Sequence, residues 1–272
     1  MTSMEQNELT NILVFLQKTL GQSLEYLADA YLFINQMVLE EQYYFVRHGK
    51  YRNTTFEEVN RQVYQNQEYM AKYMTGLPIA DYLWAHHLEL IRYFMGKLSE
   101  LGIGENYLEI GPGFGQYLIR AVHSGQWNNY LAVDISPTSV RNCRSFLSNV
   151  GIGEKNNVSV EVQDFLHFSP QKKFDCIVCG EVMEHVEAPC KMLEKIHTLL
   201  SDGGCVFITT VMNSSTIDHI YLFSTRQEIL ELVQNAGFKV KDYICTTAKN
   251  MTVDKAEKKK MPVYIGLVLQ KA

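Results

Sequence analysis

Two short segments of the sequence concentrate side chains that can bind a metal or move a proton. The first reads Glu181-Val-Met-Glu184-His185, and the second contains Asp218 and His219. Carboxylate and imidazole ligands together suit Mg²⁺, Mn²⁺ or Fe²⁺ better than a thiolate site does. Histidine and glutamate are also the usual general acids and bases of enzymes. These residue types predict a reacting centre formed by Glu181, Glu184, His185 and His219.

A glycine-rich stretch, residues 106–117, has the pattern of a binding turn between a strand and a helix. Glycine lets the backbone adopt positive φ and approach a ligand closely, and the N–H groups at a helix start favour polar or anionic ligand atoms. Gly111, Gly113 and Gly115 are spaced G-x-G-x-G. The dinucleotide fingerprint G-x-G-x-x-G needs a third glycine where Gln116 stands, so the stretch departs from that pattern.

Acidic residues stand where predicted strands end, and ligands of open α/β sheets bind at those carboxyl ends. Asp134 follows the second strand, roughly 20 residues past the glycine turn, where an acid suits a ribose diol. Asp164 follows the third strand. Each has an alternative role, Asp134 as a solvated strand-end residue and Asp164 as a capping residue of a turn. Glu109 lies at the end of the first strand.

The elements that position these residues alternate between strand and helix after residue 101. Apolar runs predict five strands at residues 107–110, 130–134, 158–162, 174–179 and 206–211, with helical stretches between them. Such a βαβ series predicts a parallel sheet with right-handed crossovers. Two more strands, at 238–246 and 262–270, follow without a helix between them. They predict a terminal antiparallel hairpin, whose lysine-rich connection at 255–260 reads as a solvated loop.

The first hundred residues predict a helical module, because apolar residues recur there at helical spacing. A polar helix is expected from residue 56 to 74, and Pro78 is expected to open a last segment, 79–98. Tyr82, Trp84 and His87 lie in this segment. Their first interpretation is core packing between the helical module and the sheet. The predicted domains are therefore 1–100, a helical cap, and 101–272, a ligand-binding α/β domain.

From residue 106 to the C-terminus, the glycine turn and the strand-end acids resemble the class I S-adenosylmethionine-dependent methyltransferases. The resemblance implies a Rossmann-like, seven-stranded sheet with a terminal antiparallel hairpin, here with an added N-terminal helical cap. In this class such helices often form a lid over cofactor and substrate, which implies Tyr82, Trp84 and His87 as residues lining the substrate pocket. It also implies S-adenosyl-L-methionine as cofactor. The implied cofactor-binding residues are Glu109, Gly111, Gly113, Gly115, Asp134, Ile135, Asp164, Phe165 and Glu181. Among these, Asp134 would bond the ribose, while Asp164, Phe165 and Ile135 would surround the adenine.

The Glu-x-x-Glu-His segment resembles that of ubiquinone-pathway O-methyltransferases. Together with His219, it also resembles small-RNA 3′-terminal ribose 2′-O-methyltransferases. In the latter, two glutamates and two histidines hold a divalent metal, which implies Glu181, Glu184, His185 and His219 as ligands here. Two alternatives remain open. The histidines, with Glu184, could act as metal-free catalytic groups, or the segment could be structural.

The composition of the chain argues against nucleic acid and membranes as binding partners. The net charge of −5 disfavours nucleic acid, whose binding calls for a basic surface. No apolar stretch is long enough for a membrane span, and six cysteines without a disulfide pattern suit a reducing compartment. We expect a cytoplasmic protein, and the oligomeric state stays open.

The resulting hypothesis is a methyltransferase that modifies an oxygen or nitrogen of a small molecule or short peptide, in a biosynthetic pathway. A metal-dependent O-methyltransferase is one form of it. A nicotinamide-dependent oxidoreductase is a rival, against which Gln116 argues. A non-catalytic subunit that kept the cofactor fold is a second rival, and the intact glycines and acids argue against it.

Overall fold

The computed structural model describes residues 1–153, 156–247 and 251–272, and the chain forms two compact units. The helical unit comprises Met1–Leu88, His185–Glu187 and Ser214–Leu222. The sheet unit comprises Glu89–Glu184, Ala188–Asn213 and Phe223–Ala272. The helical unit thus ends twelve residues before the predicted boundary at residue 100 and takes in two later segments. As a division of function, the boundary stays a prediction.

The helical unit begins with four helices whose starts are set by side-chain caps. They are α1 (Ser3–Lys18), α2 (Leu24–His48), α3 (Phe56–Val59, continued by a π-helical turn at Asn60–Tyr64) and α4 (Gln67–Leu83). Thr2 and Glu5 form a capping box at the start of α1. α2 and α4 approach closely at Gly76, where a Cβ would lie 2.4 Å from the carbonyl oxygen of Ala30.

Two helix predictions in this unit were wrong. The expected helix 56–74 is interrupted, because the Asn66 side chain accepts the Tyr69 N–H at 3.0 Å and begins a new helix, α4. Pro78 does not open a segment but lies buried inside α4. A proline inside a helix loses one hydrogen bond, and burial of the surrounding turn holds the helix together. The break comes instead at Trp84, before α5 (Ala85–Lys97).

The described residues of the sheet unit form seven strands. They are β1 (Gly104–Ile110), β2 (Trp127–Asp134), β3 (Val158–Val162), β4 (Phe174–Gly180), β5 (Leu200–Met212), β6 (Phe238–Thr247) and β7 (Val263–Lys271). Their order is β3-β2-β1-β4-β5-β7-β6. The first five are parallel, and β7 runs antiparallel to both β5 and β6. This confirms the predicted Rossmann-like sheet with its terminal antiparallel hairpin.

Most of α5 belongs to this unit, and its later helices are α6 (Gln116–Ser124), α7 (Pro137–Asn149), α8 (Pro189–Leu199), α9 (Arg226–Asn235) and α10 (Val253–Lys258). The last of these corrects the sequence analysis, which expected a loop at 255–260. Ala256 is buried there, so the lysine-rich segment forms a short amphipathic helix rather than a fully solvated loop. Residues 248–250 lie outside the described chain.

An aromatic cluster fixes α6 on the sheet. The ring of Phe94 makes edge contacts with Tyr117 and with Phe207, both at a centroid distance of 4.9 Å. Such pairs add about 0.5–1.5 kcal/mol each beyond the burial of their area. Because Tyr117 is the second residue of α6, this packing also fixes the turn that precedes the helix.

Candidate active site

The glycine turn leaves β1 with its backbone in the left-handed region. Gly111, Gly113 and Gly115 have φ of 64°, 55° and 84°, which residues with a Cβ adopt only at a cost. The N–H of Gly111 donates to the Val133 carbonyl at 2.9 Å, so hydrogen bonding to β2 continues into the turn. A Cβ built on Gly113 would meet no atom within 4 Å. The turn is therefore open to a ligand at Gly113.

Asp134 ends β2 beside this turn. One of its oxygens accepts the Ser136 N–H at 2.8 Å. Burial raises the pKa of the Asp134 carboxyl to about 6, and the Ser136 hydrogen bond opposes the rise. The next side chain, Ile135, is 49% exposed although it is apolar. A partly buried carboxylate beside an exposed aliphatic side chain suits a ligand that has both hydroxyl groups and an apolar surface.

Asp164 follows β3 and forms a turn. Oδ1 of Asp164 accepts the Leu166 N–H at 3.0 Å, and Oδ2 pairs with Nδ1 of His167 at 2.7 Å. Phe165 is buried. These contacts match the capping alternative of the sequence analysis, and cofactor binding by Asp164 and Phe165 stays a prediction.

Glu109 lies buried in β1, two residues before the turn. The Tyr107 hydroxyl donates to Oε2 at 2.7 Å. Oε1 is buried and makes no hydrogen bond within the described part of the chain. Burial raises the pKa of Glu109 to about 8, against the opposing effects of Tyr107 and Arg120. Oε1 can therefore accept a hydrogen bond from a ligand.

The end of β4 has an unusual backbone. Glu181 adopts a φ of 51°, a conformation that costs energy for a residue with a side chain and is common at functional sites. Its N–H is held by the Thr209 carbonyl at 3.0 Å and the Thr209 hydroxyl at 3.1 Å. Glu184 is buried and accepts the Thr210 hydroxyl at 2.8 Å. Strand β5 thus anchors both glutamates.

Two histidines, His185 and His219, form a pair in the helical unit. Their ring centroids are 4.9 Å apart and their planes lie at 84°. Nδ1 of His185 is 3.0 Å from the Asp218 carbonyl oxygen, and Nδ1 of His219 is 2.7 Å from the Ser214 carbonyl oxygen. A carbonyl only accepts, so each Nδ1 carries a proton, which places the lone pair of the neutral ring on Nε2. This is the tautomer that a metal ligand or a proton acceptor requires.

A buried carboxylate supports the pair. Asp218 accepts the Thr216 hydroxyl at 2.7 Å and the Tyr73 hydroxyl at 2.9 Å, and one of its oxygens is 3.6 Å from Nδ1 of His185. Burial alone would raise the pKa of Asp218, but both histidines and both hydroxyls together hold it below its usual value. Burial, assisted by His185, lowers the pKa of His219 to about 4, against the opposing effects of Asp218 and Ser214.

The helical unit holds the segment that carries His219 through two further hydrogen bonds. The Asn53 amide donates to the Ile217 carbonyl at 2.8 Å, and the Ser215 N–H donates to the Gln42 side chain at 3.1 Å. The sequence analysis missed these residues and Tyr73, because nothing local marks them. Only Asp218 was indicated by the sequence, through its position next to His219.

A family model described as a methyltransferase domain matches residues 79–243. The chain belongs to this methyltransferase family. The match confirms the predicted resemblance to the class I S-adenosylmethionine-dependent enzymes.

Two curated relatives are O-methyltransferases by name. A ubiquinone biosynthesis O-methyltransferase of Xylella fastidiosa (strain 9a5c) is 26% identical over 141 residues, which are 52% of this chain and 55% of that protein. Malonyl-[acyl-carrier protein] O-methyltransferase 2 of Ilyobacter polytropus is 27% identical over 105 residues, or 39% of each chain. The chain thus spans about half of the first relative and less of the second.

Solved methyltransferase structures share the fold. Mitomycin 7-O-methyltransferase MmcR superposes with a TM-score of 0.59 and 12% identity, over 87% of this chain and 68% of that one. N-methyltransferase NodS of Bradyrhizobium japonicum WM9, in complex with S-adenosyl-L-homocysteine, superposes with a TM-score of 0.54 and 13% identity, over 80% of this chain and 99% of that one.

The sheet unit of this methyltransferase fits the cofactor of its class at two points. The space above Gly113 admits a ligand against the backbone, and the buried Oε1 of Glu109 can accept a hydrogen bond from the cofactor's amino group. No helix in the described part of the methyltransferase is long and apolar enough to cross a membrane.

The three predicted substrate-lining residues have partners within the helical unit. The Tyr82 hydroxyl donates to Glu8 at 3.2 Å, and Nε1 of Trp84 donates to Asn35 at 3.1 Å. Nδ1 of His87 pairs with a carboxylate oxygen of Asp81 at 2.9 Å. Their part in substrate binding stays a prediction, and these contacts agree with the packing alternative.

Proposed function

We propose that this protein transfers a methyl group from S-adenosylmethionine to an oxygen or nitrogen atom of a small molecule or short peptide, in a biosynthetic pathway. One observation carries the proposal, the left-handed glycine turn that is open at Gly113 and lies beside Asp134. Both curated relatives are O-methyltransferases by name, which favours oxygen as the acceptor atom.

The residues of the sheet unit bind and orient the cofactor in this proposal. Asp134 accepts hydrogen bonds from the ribose hydroxyls, and Oε1 of Glu109 accepts one from the methionine amino group. The glycine turn brings main-chain atoms against the methionyl part. When bound, the cofactor supplies an electrophilic methyl group. Alignment of that group with the acceptor atom is worth roughly 7–11 kcal/mol in well-oriented reactions.

The histidine pair acts on the acceptor in this proposal. With a pKa of about 4, His219 is neutral at pH 7 and is a weak base, but it can bind a cation without first losing a proton. This favours a divalent metal, Mg²⁺, Mn²⁺ or Fe²⁺, held by His185 and His219. Glu184, which directly precedes His185, and Glu181 complete the predicted ligand set. Such an ion would lower the pKa of an acceptor hydroxyl and orient it.

Calorimetry with S-adenosylhomocysteine and with NAD tests the proposed cofactor. We expect the first to bind and the second to give no heat of binding. Binding of NAD in place of S-adenosylhomocysteine would instead support the oxidoreductase alternative.

Metal content tests the proposed ion separately from activity. After loading with Mn²⁺ and desalting, the wild-type protein should retain about one ion per chain, since one ligand set is proposed. His185→Ala and His219→Ala should lose the ion but still bind S-adenosylhomocysteine. If the wild-type protein retains no ion and stays active in excess chelator, the metal is wrong, and His185 becomes the preferred proton acceptor.

A further inference from the structure

Helix α2 has two apolar faces, and the helical unit buries only one of them. Ile34 and Met37 belong to a buried cluster on the inner face. The outer face carries four large apolar side chains that are mostly exposed: Leu32 (61%), Leu39 (55%), Tyr43 (74%) and Val46 (69%). We call these four residues the outer stripe. Leu39, Tyr43 and Val46 are neighbours at helical spacing, and Leu32 lies on the same face two turns before Leu39. Large apolar side chains grouped on one exposed face mark interaction sites.

Other helices of the same chain show what a solvated face looks like here. The exposed positions of α7 include Arg141, Arg144 and Ser148, and those of α9 include Gln227 and Glu231. Both faces are polar, as expected for helices that only cover a sheet. Neither α7 nor α9 carries a large apolar side chain that is exposed, so the outer stripe distinguishes α2 from these two helices.

The spacing of the outer stripe matches a helix–helix seam. Leu32, Leu39 and Val46 recur every seven residues, and Tyr43 stands four after Leu39 and three before Val46. A seven-residue apolar repeat keeps one seam on one side of a helix, facing a partner helix. The intermediate position is apolar only between Leu39 and Val46, since residues 35 and 36 are asparagine and glutamine. Leu32, Leu39 and Val46 are symmetric about Leu39, so in an antiparallel pair centred there Leu39 meets its own copy and Leu32 meets Val46.

The charges at the two ends of α2 select the orientation. Glu25 and Asp29 are exposed near its start, and Arg47, His48 and Lys50 are exposed at or just beyond its end. An antiparallel pair places the acidic end of one helix beside the basic end of the other, whereas a parallel pair places like charges together. The acids beside the stripe also disfavour an anionic membrane surface, which attracts basic amphipathic helices.

From the self-matching seam and the opposite end charges, we propose that the outer stripe of α2 binds the outer stripe of a second copy of this chain, antiparallel, to form a symmetric dimer. Isologous contacts of this type close after two subunits. The dimer contact uses none of the residues assigned to the cofactor or to the histidine pair, so it stands independently of the proposed function.

Single cysteines test the geometry, in a Cys190→Ser background that removes an exposed native thiol. In Leu39→Cys, the two copies of residue 39 face each other, so a short thiol cross-linker should give a covalent dimer. In Leu32→Cys, the two thiols would lie about 21 Å apart, from 14 residues at a rise of ~1.5 Å each. That variant should stay uncross-linked alone but cross-link when mixed with Val46→Cys.

Sedimentation of the full chain tests the dimer itself. The wild-type protein should sediment as a dimer, and Leu39→Glu should raise the dimer dissociation constant at least about tenfold, because it buries two like charges together. Arg141→Glu on α7 is the matched control and should leave dimerisation unchanged. Leu39 is exposed, so circular dichroism should show an unaltered fold.

Three results would overturn the proposal. The first is a wild-type protein that is monomeric at high micromolar concentration. The second is equal self-cross-linking of Leu32→Cys and Leu39→Cys, which indicates a parallel pair. The third is a monomer that co-sediments with phosphatidylcholine–phosphatidylserine vesicles and loses that binding in Leu39→Glu, which assigns the stripe to a membrane.

Discussion

The glycine turn of the sheet unit and the histidine pair of the helical unit are held in place by different means. The turn depends on the main chain, through three glycines at positive φ and a hydrogen bond from Gly111 to Val133. The histidines depend on partners distant in sequence, such as Tyr73, which bonds Asp218 across 145 positions. A local motif therefore specifies the first region, and the tertiary fold specifies the second.

The two regions also differ in how their charges are balanced. Burial raises the pKa of Glu109 to about 8 and of Asp134 to about 6, so these acids lack enough donors and suit a cationic, hydroxyl-bearing ligand. Asp218 is the opposite case, because surrounding donors and histidines hold its pKa low. The acids of the sheet region thus need a ligand to balance their charge, whereas the buried carboxylate of Asp218 is balanced by groups of the chain itself.

The histidine substitutions test this separation and should have the largest effect. His185→Ala and His219→Ala should each lower turnover by about 10²–10⁴-fold, because each removes a ligand of the proposed ion, whose stabilisation of charge is worth several kcal/mol. The dissociation constant of S-adenosylhomocysteine should stay the same, because the sheet region is untouched. His123→Ala in α6 is a suitable control. A parallel loss of cofactor affinity would show that the two regions do not act separately.

Asp134→Ala should give the opposite result to the histidine substitutions, because its main effect should be weaker cofactor binding. Removing a charged hydrogen-bond acceptor costs about 1.5–3 kcal/mol, or roughly 10- to 150-fold in the dissociation constant of S-adenosylhomocysteine. Asp202→Ala, at an exposed aspartate on the same unit, is the matched control. Unchanged affinity in Asp134→Ala, measured by calorimetry, would remove Asp134 from the site.

The same carboxylate predicts a pH dependence. Only ionised Asp134 accepts from two hydroxyls, and its pKa lies near 6 in the structure. Affinity for S-adenosylhomocysteine should therefore rise as pH increases from 5, by up to about tenfold per unit, and the contribution of Asp134 should level off above its pKa. Asp134→Asn should flatten this part of the profile. A wild-type profile as flat as that of the variant would contradict the assignment.

The sequence predicted the fold well because most strands and turns are specified by residues close together in the chain. Apolar runs and glycine punctuation placed the strands, although β5 begins at Leu200 and not near residue 206, since Gly203 and Gly204 resemble a turn. The interruption of helix 56–74 was missed although Asn66 is a local capping residue. The helix through Pro78 was missed because burial outweighed local preference there. The hydrogen bonds that orient His185 and His219 were beyond prediction, as they depend on Asn53 and Tyr73 being brought close by folding.

A matched pair of glycine substitutions has the smallest expected effect. It tests whether the turn is important for its backbone conformation or for the open space above Gly113. Gly113 and Gly125 have similar φ, 55° and 66°, and a Cβ at either would meet no atom within 4 Å. Gly113 lies in the turn after β1, whereas Gly125 caps the end of α6. Gly113→Ala and Gly125→Ala should each lose about 1–2 kcal/mol of stability, the cost of a side chain in the left-handed region. Only Gly113→Ala should also weaken S-adenosylhomocysteine binding, because its Cβ occupies the space proposed for the cofactor. Chemical denaturation measures the first effect and calorimetry the second. If both variants bind the cofactor equally well, the space above Gly113 is not where the cofactor lies, and the turn serves only to connect β1 to α6.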